Sequence, residues 1–420
     1  MQNRIVKNTG WLIYGKTAQM LINLLVGLLT ARYLGPSNYG LISYGAAYTG
    51  FFFSLCTLGI NTVLVKELLD QEKTQGQTLG TALLLQAVSS VVSALVILSI
   101  VCVADRGDLT VLKVVSLTNI GMILQVFGLF NQWFQSRLQS KVSAVISLIA
   151  YAVMAGYKVF LLVLGKSVEW FAFAGAVDHL CVAVLLCGAY RRYGGQRLSF
   201  SARYARSLLK KSCHFILPGL MVAVYSQTDK IMLKQMLGEA ETGYYTTAIS
   251  LCNVWCFVLS AMIDSFYPVI AQAHKTDKGL YRRRNKQLYA AVFYLSILVS
   301  GLISLLAGPI VRILYGETYL PTVAPLRIIT WYTAFSYLGV ARNAWVVCEN
   351  RQRWLKWVYL ISAVCNVALN LVWIPAFGAA GAALASLVSQ VVTALIAPLF
   401  VAGLRENTVL MLEAISLRGL

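Results

Sequence analysis

Several ionisable side chains lie inside stretches of sequence that are otherwise long and hydrophobic. Four of them are cations, namely Lys16, Lys158, Lys230 and Arg342. A charged side chain is costly at membrane depth, so a cation kept there is a candidate functional residue. Ammonium and guanidinium groups bind anions through charge-assisted hydrogen bonds. The four cations therefore predict a membrane cavity that binds an anionic ligand.

Uncharged polar side chains accompany two of these cations at helical spacing. Gln19 and Asn23 follow Lys16 by three and seven positions, and Ser226 precedes Lys230 by four. Such steps place side chains on one face of a helix. We expect Gln19, Asn23 and Ser226 to line the cavity and to supply hydrogen-bond partners for hydroxyl groups of the ligand.

Two carboxylates, Asp178 and Asp229, also lie within hydrophobic runs. One interpretation is a structural ion pair with a cation on another helix. The alternative is proton or sodium coupling, because burial favours the protonated form of a carboxylate. The nine cysteines show no paired metal-ligand spacing, and no nucleophile–base arrangement is evident. The sequence therefore predicts neither a metal site nor a catalytic residue, and no cofactor beyond the coupling ion.

The composition indicates which elements must hold these side chains. Hydrophobic residues make up 58% of the 420 residues and charged residues 12%, whereas roughly a quarter are charged in a soluble protein. The chain is therefore predicted to be an all-α polytopic membrane protein, with twelve spans of about 20 residues each. The predicted spans are about 11–33, 41–63, 79–103, 111–134, 142–164, 168–190, 213–236, 243–270, 288–314, 325–348, 356–375 and 380–404.

Basic residues concentrate in alternate loops. The 191–211 linker carries seven Lys or Arg residues and the 274–286 loop carries six, in a chain of net charge +19. The positive-inside rule makes these loops cytoplasmic. Both termini are then cytoplasmic, as an even number of spans requires. The surplus charge is explained without a nucleic-acid partner, although the linker is also expected to contact anionic lipid headgroups.

Part of the sequence recurs 203 positions later. Gly35 and Gly40 correspond to Gly238 and Gly243, and small or polar residues follow both pairs at matching helical positions. The repeat predicts two similar halves, which is a recurring plan of transporters. The predicted domains are an N-lobe at 1–198 with spans 1–6, a C-lobe at 199–404 with spans 7–12, and a short cytoplasmic tail at 405–420.

Four motifs follow one another along nearly the whole chain. They are Ala31–Gly40; Thr228–Leu233 with Gly238 and Gly243-Tyr244-Tyr245; Pro309–Arg327 with Leu314-Tyr315-Gly316; and Asn366–Ala383 with Asn370, Pro375 and Gly378. Together they resemble the polysaccharide transporter branch of the MOP exporter superfamily, the Wzx-type flippases of O-antigen and capsule units.

This resemblance implies a MATE-like fold, in which two six-helix lobes related by a pseudo-twofold form a V around a central cavity. It implies a multi-pass flippase of the bacterial inner membrane, and not an enzyme. Such a flippase moves undecaprenyl-diphosphate-linked oligosaccharide from the cytoplasmic to the periplasmic leaflet by alternating access. The implied partners are the lipid-linked oligosaccharide, membrane lipids and a polysaccharide polymerase and chain-length complex, as in O-antigen and lipopolysaccharide assembly.

Three alternative functions remain open. A lipid II flippase and a MATE-like multidrug exporter belong to the same superfamily, so the fold alone does not choose between substrates. The first span carries a lysine and no carboxylate, which favours an anionic substrate over a cationic drug. A membrane glycan polymerase is the third alternative, but its outer loops should be substantial and the predicted ones are short.

The topology is tested by a single cysteine at Gly195 in the 191–211 linker, in a chain whose native cysteines are replaced. We expect a membrane-impermeant thiol reagent to label it only when added from the cytoplasmic side, because the linker is basic. Labelling from the periplasmic side would show that the orientation is wrong.

Overall fold

The computed structural model describes residues 2–70 and 74–417, with the side chains of residues 22, 24–70 and 74–417. Within these ranges the regular structure is helical, which confirms the all-α prediction. The first helices are α1 (Gln2–Thr57), α2 (Ile60–Asp70), α3 (Gln75–Ala104), α4 (Leu109–Leu124), α5 (Leu129–Ser136), α6 (Ser140–Val163), α7 (Val168–Ala172), α8 (Ala174–Arg192) and α9 (Ala202–Ser212). The later ones are α10 (Ile216–Leu237), α11 (Glu239–Asn253), α12 (Cys256–Thr276), α13 (Lys278–Tyr315), α14 (Val323–Cys348), α15 (Leu355–Val391), α16 (Ala397–Phe400) and α17 (Arg405–Ile415).

Nine helical segments among the described residues are long and apolar enough to cross a membrane. Two of them, Leu24–Asp70 and Gln352–Phe400, have 47 and 49 residues and contain the non-helical glycines Gly35 and Gly378. At about 1.5 Å per residue, each is long enough for two crossings of a hydrocarbon core about 30 Å thick. Dividing these two segments at their glycines, extending the first one back through the earlier part of α1 (Gln2–Thr57), and adding α14, which has 26 residues, gives the twelve crossings that the sequence predicts.

The sequence repeat has a structural counterpart at Gly35 and Gly238. Gly35 has φ 74° and ψ 171°, and Gly238 has φ 98° and ψ −176°. Glycine reaches positive φ at little cost because it has no Cβ. A new helical stretch begins immediately after each glycine, so the two copies of the repeat break their helices at the same point.

The helical stretches that follow these breaks pack against each other through Gly40 and Gly243. A Cβ on Gly40 would overlap the carbonyl oxygen of Glu239, and a Cβ on Gly243 would overlap the carbonyl oxygen of Pro36. Pro36 and Glu239 are also 203 positions apart, so the contact is reciprocal. Only glycine lets the backbones approach this closely, which explains why both copies of the repeat contain it.

By its contacts the chain divides into two compact units. Unit 1 comprises Met1–Leu34 and Leu41–Ala223, and unit 2 comprises Gly35–Gly40 and Val224–Leu420. The reciprocal glycine contact therefore lies within unit 2. The lobe boundaries at 198 and 404 stay a prediction.

Part of the basic linker folds into α9, which packs on α2 and α3. Ala205 and Leu208 form its buried face. Glu67 of α2 is only 5% exposed, accepts a hydrogen bond from Tyr204 Oη at 2.9 Å and forms an ion pair with Lys211 Nζ at 2.7 Å. Apolar packing and a buried carboxylate thus hold the linker helix to unit 1.

Gly195 in the linker is a poor position for a cysteine. A Cβ there would overlap the ring of Tyr190. Tyr193, two residues away, has an exposed side chain. A cysteine at Tyr193 therefore reports on the same loop without this overlap.

The segment after the last span contains α17, which packs on α13. Lys286 Nζ lies 2.7 Å from Glu413 Oε2, and Tyr294 Oη donates a hydrogen bond to the carbonyl oxygen of Ile415 at 2.7 Å. The hydrogen bond from Lys286 lowers the pKa of Glu413. Met411 is fully buried. The helix is therefore an integral part of the packing of unit 2.

We predict that Gly243→Ala destabilises the protein by about 1–3 kcal/mol, because the new methyl group would meet the Pro36 backbone rather than a mobile side chain. The measurement is the thermal unfolding midpoint of the purified protein in detergent. Gly301→Ala on α13 is the matched control, since a Cβ at Gly301 meets no atom within 4 Å. Equal midpoints for the two variants would contradict the close contact.

Candidate functional site

Asp229 on α10 is a buried carboxylate in unit 2, with 2% of its surface exposed. Its neighbours come from α11 and from both parts of α15. Asn370 and Ser386 of α15 both contact Asp229, although 16 residues of straight helix would separate them by about 24 Å. The non-helical Gly378 between them allows both side chains to reach the same carboxylate.

Three neutral groups donate hydrogen bonds to this carboxylate. Tyr245 Oη donates to Oδ2 at 2.5 Å, and Asn370 Nδ2 donates to Oδ1 at 2.5 Å. Ser386 Oγ also donates to Oδ2. Among the described side chains, the donors to Asp229 are thus a phenol, an amide and a hydroxyl, and no cation on another helix is one of them. The choice between a structural ion pair and ion coupling at Asp229 stays a prediction.

The amides beside Asp229 have unused hydrogen-bonding capacity. Asn370 Nδ2 also donates to Asn366 Oδ1 at 3.1 Å. Within the described residues, the buried Asn370 Oδ1 and Asn366 Nδ2 have no hydrogen-bond partner. Carboxylate, amide and hydroxyl oxygens are the ligands that hard cations prefer. The cluster of Asp229, Tyr245, Asn366, Asn370 and Ser386, here called the Asp229 cluster, has the chemistry to hold a proton or a sodium ion.

Lys230 and Ser226 lie on the same helix as Asp229. Both are half-buried. Lys230 Nζ donates a hydrogen bond to Gln227 Oε1 at 3.4 Å and interacts electrostatically with Asp229. The ammonium group of Lys230 is thus near the carboxylate of Asp229 because the two residues are adjacent in sequence. The hydrogen bond that it donates goes to the neutral amide of Gln227.

In unit 1, Lys158 on α6 and Asp178 on α8 attract each other electrostatically. The two helices pack against each other, and both side chains are half-buried. Asp178 Oδ1 is buried and accepts no hydrogen bond from any described residue. The predicted cation and one predicted carboxylate therefore interact electrostatically across two helices, without forming an ion pair within 4.0 Å.

A small polar cavity of about 110 Å³ also lies in unit 1. Its walls include Thr57, Asn61, Gln86, Ser90 and Gln125. Gln86 Nε2 bridges the carbonyl oxygen of Thr57 at 3.0 Å and Asn61 Oδ1 at 2.9 Å. These residues were not among the sequence-predicted site residues, although amides in hydrophobic runs are a recognisable signal.

Arg342 on α14 has a different environment from the one predicted. It is 2% exposed, and Nη1 donates to the carbonyl oxygen of Thr393 at 3.1 Å while Nη2 donates to that of Ala394. Nε donates to Asn407 Oδ1 of α17 at 3.3 Å. The guanidinium is thus committed to protein acceptors, which favours a structural role over that of a cavity cation.

Proline explains why those carbonyl groups need Arg342. Residues Val392–Ile396 form a π-helical turn, in which the N–H of Ala397 bonds the carbonyl oxygen of Val392. The next residue, Pro398, has no N–H to give to the carbonyl groups of Thr393 or Ala394. Arg342 supplies the missing donors. The proline in the predicted last span was the sequence signal for this arrangement.

The remaining predicted residues are Lys16, Gln19 and Asn23 of α1. Their side chains lie outside the described residues. Their role as cavity cation and cavity lining therefore stays a prediction. The unpredicted members of the Asp229 cluster are Tyr245, Asn366, Asn370 and Ser386, of which Asn366 and Asn370 stand four residues apart in an apolar run.

Comparison with known proteins gives consistent matches. A family model described as "Polysaccharide biosynthesis protein" matches residues 5–274. The capsular polysaccharide biosynthesis protein CapF of Staphylococcus aureus is 20% identical over 404 residues, which cover 92% of this chain and 97% of that protein.

Solved structures of the same fold cover nearly the whole chain. The lipid II flippase MurJ in an inward closed conformation has a TM-score of 0.74 at 13% identity, covering 96% of this chain and 89% of that one. An inward-facing multidrug resistance MATE family transporter of the MOP superfamily has a TM-score of 0.67 at 13% identity, covering 93% and 96%. The predicted MATE-like fold is thereby confirmed.

We predict that Arg342→Met destabilises the protein by about 3 kcal/mol, because buried carbonyl groups lose charged donors. The cost should be smaller in a Pro398→Ala background, where residue 398 regains an N–H for the Ala394 carbonyl group. Thermal unfolding midpoints of the two single variants and the double variant measure the coupling. A stable Arg342→Met protein with impaired transport would instead support the cavity cation.

Proposed function

Because the chain belongs to the polysaccharide biosynthesis protein family, we propose that it flips lipid-linked oligosaccharide repeat units across the bacterial inner membrane. The units are carried on undecaprenyl diphosphate and move from the cytoplasmic to the periplasmic leaflet. The observation that carries the proposal is the family match over residues 5–274. A fold shared with a lipid II flippase along almost the entire chain supports it. The protein is a transporter and not an enzyme.

The charges inside the membrane support an anionic substrate. In unit 1 the carboxylate of Asp178 interacts electrostatically with the ammonium group of Lys158, so it is less suited to attract a cationic drug. Lys230 is half-buried in unit 2. We assign Lys16, Lys158 and Lys230 to the diphosphate, with Gln19, Asn23 and Ser226 lining the path for the sugar. Arg342 is assigned to the packing of unit 2.

The proposal includes an orientation and a partner. Both termini and the basic linker lie on the cytoplasmic side, as the distribution of Lys and Arg requires. The flipped unit would serve a periplasmic polymerase and its chain-length partner in O-antigen or capsule assembly. A lipid II substrate remains the second candidate, because the fold of a lipid II flippase is matched.

The function is tested by locating lipid-linked oligosaccharide in cells depleted of the protein. We expect intact repeat units to accumulate in the cytoplasmic leaflet, because a polar headgroup does not cross hydrocarbon unaided. Leaflet location is measured by accessibility to an impermeant glycan-modifying enzyme in spheroplasts. Units that still reach the periplasm at the normal rate would contradict the proposal, and accumulation of lipid II instead would identify the second candidate.

Complementation of the depleted cells tests the cation assignment. Lys158→Ala and Lys230→Ala are expected to lower flipping by about tenfold or more at normal protein levels, since each removes a charge-assisted contact with the diphosphate. Lys275→Ala is the matched control, because Lys275 is exposed at the end of α12. Equal flipping by all three variants would remove the cationic cavity from the proposal.

We further propose that Asp229 couples transport to a proton or a sodium ion. Its support is the Asp229 cluster, in which a buried carboxylate is surrounded by neutral oxygen-bearing groups. A carboxylate in such a place changes its charge when a cation or proton binds, which can bias a conformational equilibrium.

Asp229→Asn keeps the shape and removes the charge of this carboxylate. We expect the variant to flip substrate at a rate that no longer responds to an imposed pH or sodium gradient, because it cannot exchange the coupling ion. The measurement is transport in proteoliposomes with each gradient applied separately. Asp264→Asn, at an exposed carboxylate on α12, should respond like the wild-type protein. An Asp229→Asn variant that keeps the wild-type response would contradict the coupling role.

A further inference from the structure

Two apolar grooves flank α3 on the surface of unit 1. The first has a volume of about 550 Å³ and the second about 660 Å³. Both volumes lie within the range of about 300–1,000 Å³ that is usual for ligand sites. Leu84 of α3 and Phe200 of the linker line both grooves, so the two grooves, here called the paired grooves, meet at these side chains.

The second groove extends from the linker into the membrane-spanning part of α3. Leu84 and Val96 mark its length along α3, and twelve residues of helix rise about 18 Å. Half of a hydrocarbon core about 30 Å thick is about 15 Å. The groove is therefore about as long as one leaflet is thick. Its linker end is closed by Phe200 and by Leu209 of α9.

The linker places positive charge beside this end of the paired grooves. Arg203, Arg206 and Lys210 occupy one exposed face of α9, opposite the face that packs on the unit. This cationic face of α9 begins three residues after Phe200, and residues 191–215 contain no Asp or Glu. Glu67 pairs with Lys211 instead. The three cations are thus exposed, and that carboxylate pairs with a different residue.

We propose that the paired grooves and the cationic face of α9 form a binding site for an anionic diacyl phospholipid. The phosphate binds Arg203, Arg206 and Lys210, and one acyl chain lies in each groove on either side of Leu84. A diacyl lipid fits better than a prenyl lipid because there are two grooves, each suited to one chain, and because the second groove is about as long as one leaflet is thick. The site is separate from the Asp229 cluster and does not depend on the substrate proposed above.

The charge part of the site is tested with the full chain purified in detergent. Equal amounts of dioleoyl phosphatidylglycerol and dioleoyl phosphatidylcholine are added, and native mass spectrometry measures the lipid retained. We expect the wild-type protein to retain phosphatidylglycerol preferentially. In the triple variant Arg203→Gln, Arg206→Gln, Lys210→Gln, the ratio of retained phosphatidylglycerol to retained phosphatidylcholine should fall at least about tenfold. The reason is that each interfacial cation contributes about fivefold to binding of an anionic lipid.

A matched triple variant removes the same charge from another exposed basic segment. Lys275→Gln, Lys278→Gln, Arg283→Gln alters exposed residues at the end of α12 and in the first turns of α13, and it should retain phosphatidylglycerol like the wild-type protein. An equal loss in both triple variants, or no preference in the wild-type protein, would show that the attraction is a general charge effect and that the proposal is wrong.

The groove part is tested by filling one groove with bulky side chains. Val88→Trp, Val92→Trp changes two exposed residues that line the second groove, and it should reduce retained phosphatidylglycerol by severalfold. Val91→Trp, Leu95→Trp changes exposed residues of the same helix that line neither groove, and it should leave retention unchanged. Displacement of phosphatidylglycerol by equimolar undecaprenyl phosphate would assign the site to a prenyl lipid and overturn the proposal.

Discussion

A polar group inside the hydrocarbon region has no water to bind, so each one must find its partner within the protein. This constraint accounts for much of the described structure. Arg342 takes up the carbonyl groups that Pro398 leaves without donors. The carboxylate of Asp229 collects three donors from two other helices. In both cases the partners lie far apart in sequence, and they fix how the helices of unit 2 pack.

The constraint also separates structural from functional charges. A guanidinium that donates to three fixed carbonyl and amide oxygens and to a thioether sulfur has little left for a mobile ligand. A carboxylate surrounded by neutral hydroxyl and amide groups can exchange a proton or a small cation without a competing ion pair. On this basis we propose that Arg342 belongs with the packing of the helices and that Asp229 is the coupling residue. Depth in the membrane alone does not make this distinction, because Arg342 and Asp229 both lie within hydrophobic segments.

Sequence reasoning predicted what depends on composition and on local spacing. The twelve crossings follow from hydrophobic runs, and the repeat follows from glycines that recur at a fixed offset. The breaks at Gly35 and Gly238 confirm that offset in the backbone itself. The charge of each site residue and its position along a helix were also available from the sequence.

The partners of those residues were not predictable in the same way, because they are set by tertiary packing. Asn407 reaches Arg342 from a helix 65 positions further on, and Ser386 reaches Asp229 only because α15 is broken at Gly378. Adjacent positions such as 229 and 230 point in different directions on a helix, so sequence proximity does not identify an ion pair. A single sequence with no information on contacts cannot supply these relations.

The contact between Arg342 and α17 has a consequence for biosynthesis. Arg342 enters the membrane with α14, but its partner Asn407 is translated later. During that interval the guanidinium lacks one of its acceptors. The helices around Arg342 also lack their packing contacts with α17. Final consolidation of unit 2 must therefore wait until α17 has emerged from the ribosome. Premature termination between these two helices would expose a charged, incompletely packed intermediate to membrane quality control.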